Sequence, residues 1–346
     1  MALVTDLVEP MEMIGYVRGV QIELERNTFT LSQYLPNNQV DEIEWRVTTA
    51  NLRDEDAAPL RQWDTEAPVG GRQGAQRLYG ELPPISKKIP LGEEQRLRAR
   101  ALLRGDGDTT EIVNGVFNDA ERMTRAVLAR MELLRGEAIQ TGQNVINENG
   151  VVQTVSWGRK GAHTVSAAIK WDQATADPVA DMRAWVQTYI DTNGVAPAFA
   201  LTSTQVITQL MLNQKIRELA TTAVLGAPSL VTVDTVMAVF AAFGLPPLVA
   251  YDTTVRLSGT STRVTNVKML TLMPPAVEPL GETRWGPTAE SMVLAAGNFV
   301  PVADAPGIVA TIMATDDPPT TWTKATGVGL PLLPNPDLTF TATVLT

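Results

Sequence analysis

The chain has 346 residues, of which 44% are hydrophobic and 19% charged, and this length predicts two or more domains that each bury a core. Its formal net charge of −10 argues against a nucleic-acid-binding protein, because such binding depends on Lys and Arg that neutralise phosphates. The absence of Cys excludes a disulfide framework, a thiolate nucleophile and a thiolate metal site.

The first 47 residues predict a leading arm. Their start, MALVTDLVEPMEMIG, has acids where a signal peptide needs basic residues. No stretch of the chain approaches the roughly 18 uncharged apolar residues of a membrane span, so we expect a soluble protein made in the cytoplasm. A weak helix is predicted from Ile22 and a strand from about Ile43. The arm has too few apolar residues for its own core, so it must pack on the rest of the chain or on another subunit.

Residues 48–90 are dense in charge, Gly and Pro, which predicts an excursion from the body in the form of a two-stranded arm. Isolated hairpins are only marginally stable, so this arm would rest on a neighbouring subunit. Its acids alternate with Arg53 and Arg61, as on a solvated or intersubunit face. The candidate intersubunit contacts are the charged residues Arg53, Asp54, Glu55, Asp56, Arg61, Arg72, Arg77, Lys87 and Lys88.

A short helix is predicted over residues 92–107, and the longest helix, a spine, over residues 114–141. The apolar stripe of the spine recurs at steps of three and four, and it consists of Val116, Ala120, Met123, Val127, Met131, Leu134 and Ala138. Its charged face, which we expect to be wet or paired with a neighbour's charges, carries Glu121, Arg122, Arg125, Arg130, Glu132 and Glu137. Gly142 would end the helix. A β-hairpin follows, with its turn at Asn149-Gly150.

Residues 177–275 predict a separate α+β domain. Its first helix begins after the N-cap Asp177 and ends at Gly194. The domain is also predicted to contain a strand over 198–201 and a helix from a Thr202 or Ser203 cap through Leu219. A helix over 233–243 and two further strands around a turn at 257–262 follow. From residue 276 the chain is rich in Pro and Thr and predicts short strands, including SMVLAAG, IVATIMATDD and TFTATVL, that return to the spine region.

Motifs that could support catalysis or ligand binding are weak, so we predict no enzyme, no cofactor and no metal site. The single histidine, His163, lacks a second His or a nearby acid, and we interpret it as a loop side chain. The sequence GGRQGAQ from residue 70 lacks the Gly-Lys-Ser/Thr ending of a phosphate-binding loop. The sequence RGDGD from residue 104 lacks the distant Glu of a calcium loop, which favours a turn. Trp157, Trp171, Trp185 and Trp285 are interpreted as core or interface anchors.

The order of these pieces resembles the lambda-E-like family of tailed-phage major capsid proteins. The resemblance covers essentially the whole chain. The order in which the matching segments follow one another is more specific than any single motif among them. It rests on residues 133–142 with Asn149-Gly150, on the triplet Trp157-Gly158-Arg159, on Trp171, Asp177-Pro178, Asp181 and Trp185, and on a closing stretch, residues 318–337, similar to the tails of actinobacterial-phage and prophage members.

The resemblance implies an α+β chain with the Hong Kong 97-type capsid fold. Its parts would be an N-terminal arm (1–47), an extended loop (48–90), a peripheral domain (91–176, with the spine), an axial domain (177–275) and a return to the peripheral domain with C-terminal strands (276–346). It implies hexamers and pentamers of the chain in an icosahedral shell around double-stranded DNA, without sequence-specific DNA binding or a membrane. Partners would be a scaffolding protein and a portal, with a decoration protein left open. The location would be the virion capsid, after assembly in the host cytoplasm.

Two other functions remain as alternatives. An encapsulin-type nanocompartment shell shares the fold and would enclose a cargo enzyme instead of DNA. A hydrolase or ligand-binding protein would need polar groups that converge in a pocket, for which a lone histidine is poor support.

Overall fold

The computed structural model of the chain describes residues 2–3, 8–49, 60–63, 66, 76–91, 110–223, 231–275, 280–297, 307–316 and 319–346. The helices in these ranges are α1 Pro10–Asn27, α2 Thr110–Thr141, α3 Pro178–Asn193, α4 Thr204–Leu212, α5 Gln214–Ala223, α6 Val233–Ala242 and α7 Ala289–Ala296. The helix predicted over 92–107 and the RGDGD turn lie outside the described residues.

The strands in the described ranges form two larger sheets and three ribbons. They are β1 Ala2–Leu3, β2 Asn37–Gln39, β3 Glu44–Thr49, β4 Gln76–Glu81, β5 Pro84–Leu91, β6 Gln143–Glu148, β7 Val151–Ser156, β8 Thr164–Ser166, β9 Phe199–Thr202, β10 Leu248–Ala250, β11 Thr254–Leu257, β12 Thr260–Arg263, β13 Met269–Met273, β14 Glu282–Gly286, β15 Val309–Asp316, β16 Pro319–Leu332 and β17 Phe340–Thr343. The ribbons are β3–β4, β6–β7 and β11–β12.

The first sheet is organised around the long strand β16. Strands β15 and β5 both pair antiparallel with its first part, and β14 pairs with residues 328–332. Strand β1 extends the sheet beyond β15, and β2 extends it beyond β14. Helices α1 and α2 contribute to the core on this sheet, which contains the buried stripe of the spine. The leading arm therefore packs on its own chain over residues 8–49.

The second sheet has the order β10-β9-β13-β17-β8 and belongs to a second core. Helices α3 to α6 contribute Tyr189, Val206, Ile216 and Phe240, respectively, to that core. The last strand, β17, pairs with β13 and β8, so the C-terminal end of the chain joins this sheet. Strands β15 and β16 pack against the spine, and β17 also contacts it.

The spine, α2, begins at Thr110, four residues before its predicted start, and is about 48 Å long at ~1.5 Å per residue. All seven residues of its predicted stripe are buried. Gly142 follows at φ 69°, the left-handed conformation of a helix C-cap. The hairpin turn is also confirmed, because Asn149 and Gly150 both have positive φ, as a type I′ turn requires. These features depend on local sequence alone.

Three local predictions are wrong. The helix in the leading arm begins at Pro10 and not at Ile22. The helix predicted through Leu219 is two helices, because Asn213 ends α4 and its side-chain oxygen accepts hydrogen bonds from the first amides of α5. The segment SMVLAAG belongs to helix α7, since Thr288 and Ser291 form a capping box in front of a run rich in Ala, Met and Leu.

Two glycines of the spine provide a matched test of its packing. A Cβ at Gly136 would lie 2.4 Å from the Val264 carbonyl oxygen, whereas a Cβ at Gly115 would meet nothing within 4 Å. We expect Gly136→Ala to lower the free energy of unfolding by ~1–3 kcal/mol through overpacking. Gly115→Ala is expected to raise it by ~0.5–1 kcal/mol, because Ala restricts the unfolded chain. Urea unfolding of unassembled subunits measures both, and equal effects would contradict the close approach at Gly136.

Candidate assembly site

The β3–β4 ribbon is the described base of the predicted excursion, and it is anchored at one end. Trp45 is buried, and its ring centroid lies 5.4 Å from that of Trp157 in the body. The Trp45 indole N–H donates to the Glu81 carbonyl oxygen at 3.2 Å. Gly80 leaves the space that this ring fills, since a Cβ there would lie 2.8 Å from it. The two-stranded prediction is confirmed for residues 44–49 and 76–81.

Beyond this base, the described part of the excursion exposes large apolar side chains. Trp63 is 95% exposed and Leu60 is fully exposed, and Tyr79, on β4 of the base itself, is 83% exposed. Exposed apolar groups of this size that cluster on one segment typically mark a surface that another chain covers. Arg61 and Arg77, two of the predicted contacts, are also exposed. Arg53, Asp54, Glu55, Asp56 and Arg72 lie outside the described residues.

Lys87 and Lys88 lie in β5, a strand of the first sheet, although the sequence placed them in the extended loop. Pro84 and Pro90, near the two ends of this strand, obscure the alternation of side chains that would predict a strand from the sequence. Only the pairing with β16 shows that these residues form one. The ammonium group of Lys88 lies 4.2 Å from the centroid of the Trp322 ring, a cation–π contact within one subunit. Lys87 is exposed. Their role between subunits stays a prediction.

A buried polar network joins the leading arm to the spine. The Arg135 guanidinium, which is fully buried, donates to Glu132 at 3.2 Å, to Glu25 at 3.1 Å, to Asn37 at 2.7 Å and to Thr283 at 2.9 Å. These partners come from the spine, α1, β2 and β14. Every polar edge of the guanidinium thus has an acceptor, which is the condition for burying a charge.

Glu132 receives donors from three directions in the same network. Besides Arg135, its carboxylate accepts the Leu31 amide at 2.9 Å and the Tyr251 hydroxyl at 2.6 Å. Tyr251 follows β10, so the network reaches the second sheet. The prediction that Glu132 is wet or faces a neighbour is wrong, because its side chain is fully buried inside one subunit. Leu31 and Tyr251 are far from Glu132 in sequence, so the helical periodicity of the spine alone does not predict that Glu132 is buried.

Burial raises the pKa of the Glu132 carboxyl above its ordinary value, although Arg135 and Tyr251 oppose the shift. The folded chain therefore holds this proton more tightly than the unfolded chain does, whose Glu titrates near ~4.3. This contribution to stability is full below that pH and is lost as pH rises through the raised pKa. We expect Glu132→Gln to remove this fall from plots of unfolding free energy against pH. Glu121→Gln on the same helix is the control, and parallel plots for parent and Glu132→Gln would contradict the shift.

The triplet Trp157-Gly158-Arg159 holds the C-terminal end of the spine. The Trp157 indole N–H donates to the Asn144 side-chain oxygen at 3.0 Å, and Gly158 has φ 81°. Arg159 then donates to the Ile139 and Gln140 carbonyl oxygens at 3.1 and 2.7 Å. Burial lowers the pKa of Arg159 to about 10, so it remains charged at neutral pH, and a cation here favours the negative end of the helix dipole.

His163 is part of a core and not a loop side chain as predicted. It lies in the short helix Gly161–His163 and is fully buried. Its ring nitrogens contact the Thr339 carbonyl oxygen at 3.2 Å and the Thr192 hydroxyl at 2.9 Å, and burial lowers its pKa. Trp157, Trp171, Trp185 and Trp285 are also buried, which confirms them as anchors. Across the described ranges, no group of three or more His, Asp or Glu is arranged to hold a metal ion, and no helix is long and apolar enough to cross a membrane.

A protein family and several solved structures match this chain over nearly its whole length. The model of the family described as phage major capsid protein E matches residues 18–344. A protein described as a capsid protein of a prophage from E. coli CFT073 has a similar structure, with a TM-score of 0.64 and 15% identity over 97% of this chain and 99% of its own. A phage-related protein from Bordetella bronchiseptica RB50 is similar with a TM-score of 0.55 and 13% identity over 99% and 98%. No protein with a curated functional description matches the sequence.

Proposed function

The chain belongs to the phage major capsid protein E family and has the Hong Kong 97-type capsid fold, and we infer that its copies associate as hexamers and pentamers. Its role is structural, as a subunit of a phage's icosahedral shell. In our proposal the shell encloses double-stranded DNA, assembles in the host cytoplasm with a scaffolding protein and a portal, and involves no catalytic step.

The observation that carries the proposed mode of association is the ribbon with its exposed apolar segment. One end of the ribbon is held by Trp45, while Leu60 and Trp63 beyond the other end contact solvent. Large exposed apolar groups mark interaction surfaces, and Trp is among the residues that contribute most binding energy when an interface buries them. We therefore propose that residues 48–81 form an extended loop that rests on the next subunit, whereas β5, which was predicted to be part of this loop, belongs to the first sheet.

The two cores support the proposed division of the subunit. The core with the spine and the first sheet would form the peripheral domain, and the core with α3 to α6 would form the axial domain at the centre of each hexamer or pentamer. The axial core also includes Trp171 and the C-terminal strand β17, which lie outside residues 177–275. The net charge of −10 suits a wall that must not hold the genome tightly.

Negative-stain electron microscopy of the purified chain, with light scattering on the same sample, tests the proposal. We expect closed shells, tubes or rings of subunits. Nuclease-protected DNA inside particles from infected cells would distinguish a phage shell from a nanocompartment, which would contain a cargo protein. A chain that stays monomeric alone and with its scaffolding protein would contradict the proposal.

A further inference from the structure

His163 is the single histidine of the chain, and between residues 160 and 166 it is the one fully buried side chain. It ends the short helix Gly161–His163 and directly precedes β8, an edge strand of the second sheet that is three residues long. Among the described strands, β8 pairs with β17 alone, and the side chains of Thr164 and Ser166 are exposed. The attachment of residues 160–166 to the second core therefore depends on one titratable ring and a short strand pairing.

The ring of His163 bridges two elements that are distant in sequence. Its Nδ1 lies 3.2 Å from the Thr339 carbonyl oxygen, just before β17, and its Nε2 lies 2.9 Å from the Thr192 hydroxyl, in the last turn of α3. A carbonyl oxygen can only accept, so Nδ1 must carry a hydrogen, and Nε2 of the neutral ring accepts from Thr192. The geometry thus requires the Nδ1–H tautomer of the neutral ring.

Hydrogen bonding alone does not exclude a protonated ring. The Thr192 hydroxyl also lies 3.0 Å from the Thr188 carbonyl oxygen, to which it can donate. If the hydroxyl turns toward Thr188, its oxygen is free to accept a hydrogen bond from a protonated Nε2. The cost of protonating His163 in place is therefore electrostatic.

The charged groups that face the ring do not offset a further cation. Arg159 and Lys160 come from its own segment, and Asp337 comes from the residues before β17. Asp337 is already engaged, since its carboxylate accepts the Lys160 amide at 2.8 Å and lies 3.8 Å from the Lys160 ammonium group. The rings packed against the imidazole, Tyr189 of α3 and Phe340 of β17, are uncharged. A protonated ring would be the third cation beside one carboxylate, away from water.

Burial is the main cause of the lowered pKa of His163, and Lys160 and Arg159 add to it, whereas the Thr339 hydrogen bond and Asp337 oppose it. An exposed histidine titrates near ~6.5. Above that pH the neutral ring contributes fully to holding its segment in place. As pH falls below it, a released segment takes up the proton more readily than the attached one, so the contribution is lost.

We propose that His163 is an acid-sensitive catch, whose neutral ring holds residues 160–166 on α3 and on the residues before β17, and whose protonation releases them. Release of β8 also uncovers one edge of β17, because β8 occupies that edge in the attached state. The inference concerns the folded subunit and does not depend on the proposed shell function.

Nuclear magnetic resonance of unassembled subunits with isotope-labelled histidine tests the catch directly, because only one ring contributes a signal. We expect the Nδ1–H tautomer at neutral pH and a titration midpoint below ~6.5. Each pH unit by which the midpoint lies lower requires a tenfold greater population of the released state in acid. Hydrogen exchange of residues 160–166, corrected for the intrinsic effect of pH, should increase by that factor, with β13 of the same sheet as the internal reference.

Three variants separate the catch from general acid sensitivity. His163→Asn keeps a side-chain N–H near the position of Nδ1 but cannot titrate, so the exchange of residues 160–166 should no longer depend on pH. Thr192→Val removes the one acceptor that a protonated Nε2 would have and should lower the midpoint further. Thr188→Val is the matched control, because the exposed Thr188 hydroxyl donates to the Ala184 carbonyl oxygen, and it should leave the midpoint unchanged.

Each result bears on the proposal. A lowered midpoint together with pH-dependent exchange in residues 160–166 supports it. An Nε2–H tautomer, a midpoint at or above that of an exposed histidine, or exchange that stays constant through the midpoint overturns it. If His163→Asn does not fold, the tautomer, the midpoint and the exchange of the parent chain still decide.

Discussion

Removing residues 50–75 and joining Thr49 to Gln76 through an Asn-Gly turn is expected to give a folded subunit that forms no closed shells. Thr49 and Gln76 are directly paired in the ribbon, so a two-residue turn closes the hairpin without strain. Trp45 and Gly80 stay in place, so the base remains anchored on Trp157. Only the segment proposed to contact the neighbour is lost.

Circular dichroism and urea unfolding should show a subunit within about 1 kcal/mol of the parent, and microscopy should show no shells. A loop of equal length made of Gly and Ser is the control, and it should also fail, because it lacks Leu60 and Trp63. Normal shells from either variant would refute the role assigned to the loop. A longer deletion through residue 85 would remove β4 and part of β5, so its failure would not discriminate.

Replacing Arg135 by Met should lower the free energy of unfolding by ~3–5 kcal/mol, which is the usual cost of leaving a buried carboxylate without its partner. Glu132 is then held by Leu31 and Tyr251 alone, and Glu25 also loses its cation. Because the network joins the leading arm to the spine, we expect the arm to become sensitive to protease. Urea unfolding and limited proteolysis of unassembled subunits measure both effects.

Arg125→Met is the matched control on the same helix. Arg125 forms an exposed ion pair with Glu121 at 3.4 Å, so its loss is expected to cost only ~0.3–0.5 kcal/mol. The double variant Glu132→Gln/Arg135→Met should lose less than the sum of its single changes, because it removes the stranded charge. Equal losses of unfolding free energy in Arg135→Met and Arg125→Met would show that burial of the network contributes nothing to stability.

The candidate site was only partly predictable from sequence. The exposed segment around Arg61 was predicted from a run of charged residues, Gly and Pro, because such a run forms no core of its own. Trp63 and Leu60 were missed, although an apolar pair inside an acidic run is a visible signal. The surface beside the spine was not predictable, since residues of the spine, the β6–β7 ribbon and the β11–β12 ribbon, about 20 and 120 residues away in sequence, line it together.

The sequence by itself determined the features that depend on neighbours along the chain. The stripe and end of the spine, the cap at Asp177, the Asn-Gly turn and the order of elements that marks the family all follow from residues within a few positions. Helix α7 also had such a local signal, in the pair Thr288 and Ser291.

Tertiary structure alone decided which surfaces meet. Strand β5 became part of the first sheet because β16 offers it an edge some 240 residues away, and β17 joined the second sheet by pairing with β13 and β8. Glu132 looks like a surface residue in the helical pattern, yet it is buried because Arg135, Leu31 and Tyr251 together satisfy its carboxylate. Such pairings depend on burial and on partners distant in sequence, and periodicity carries no information about either.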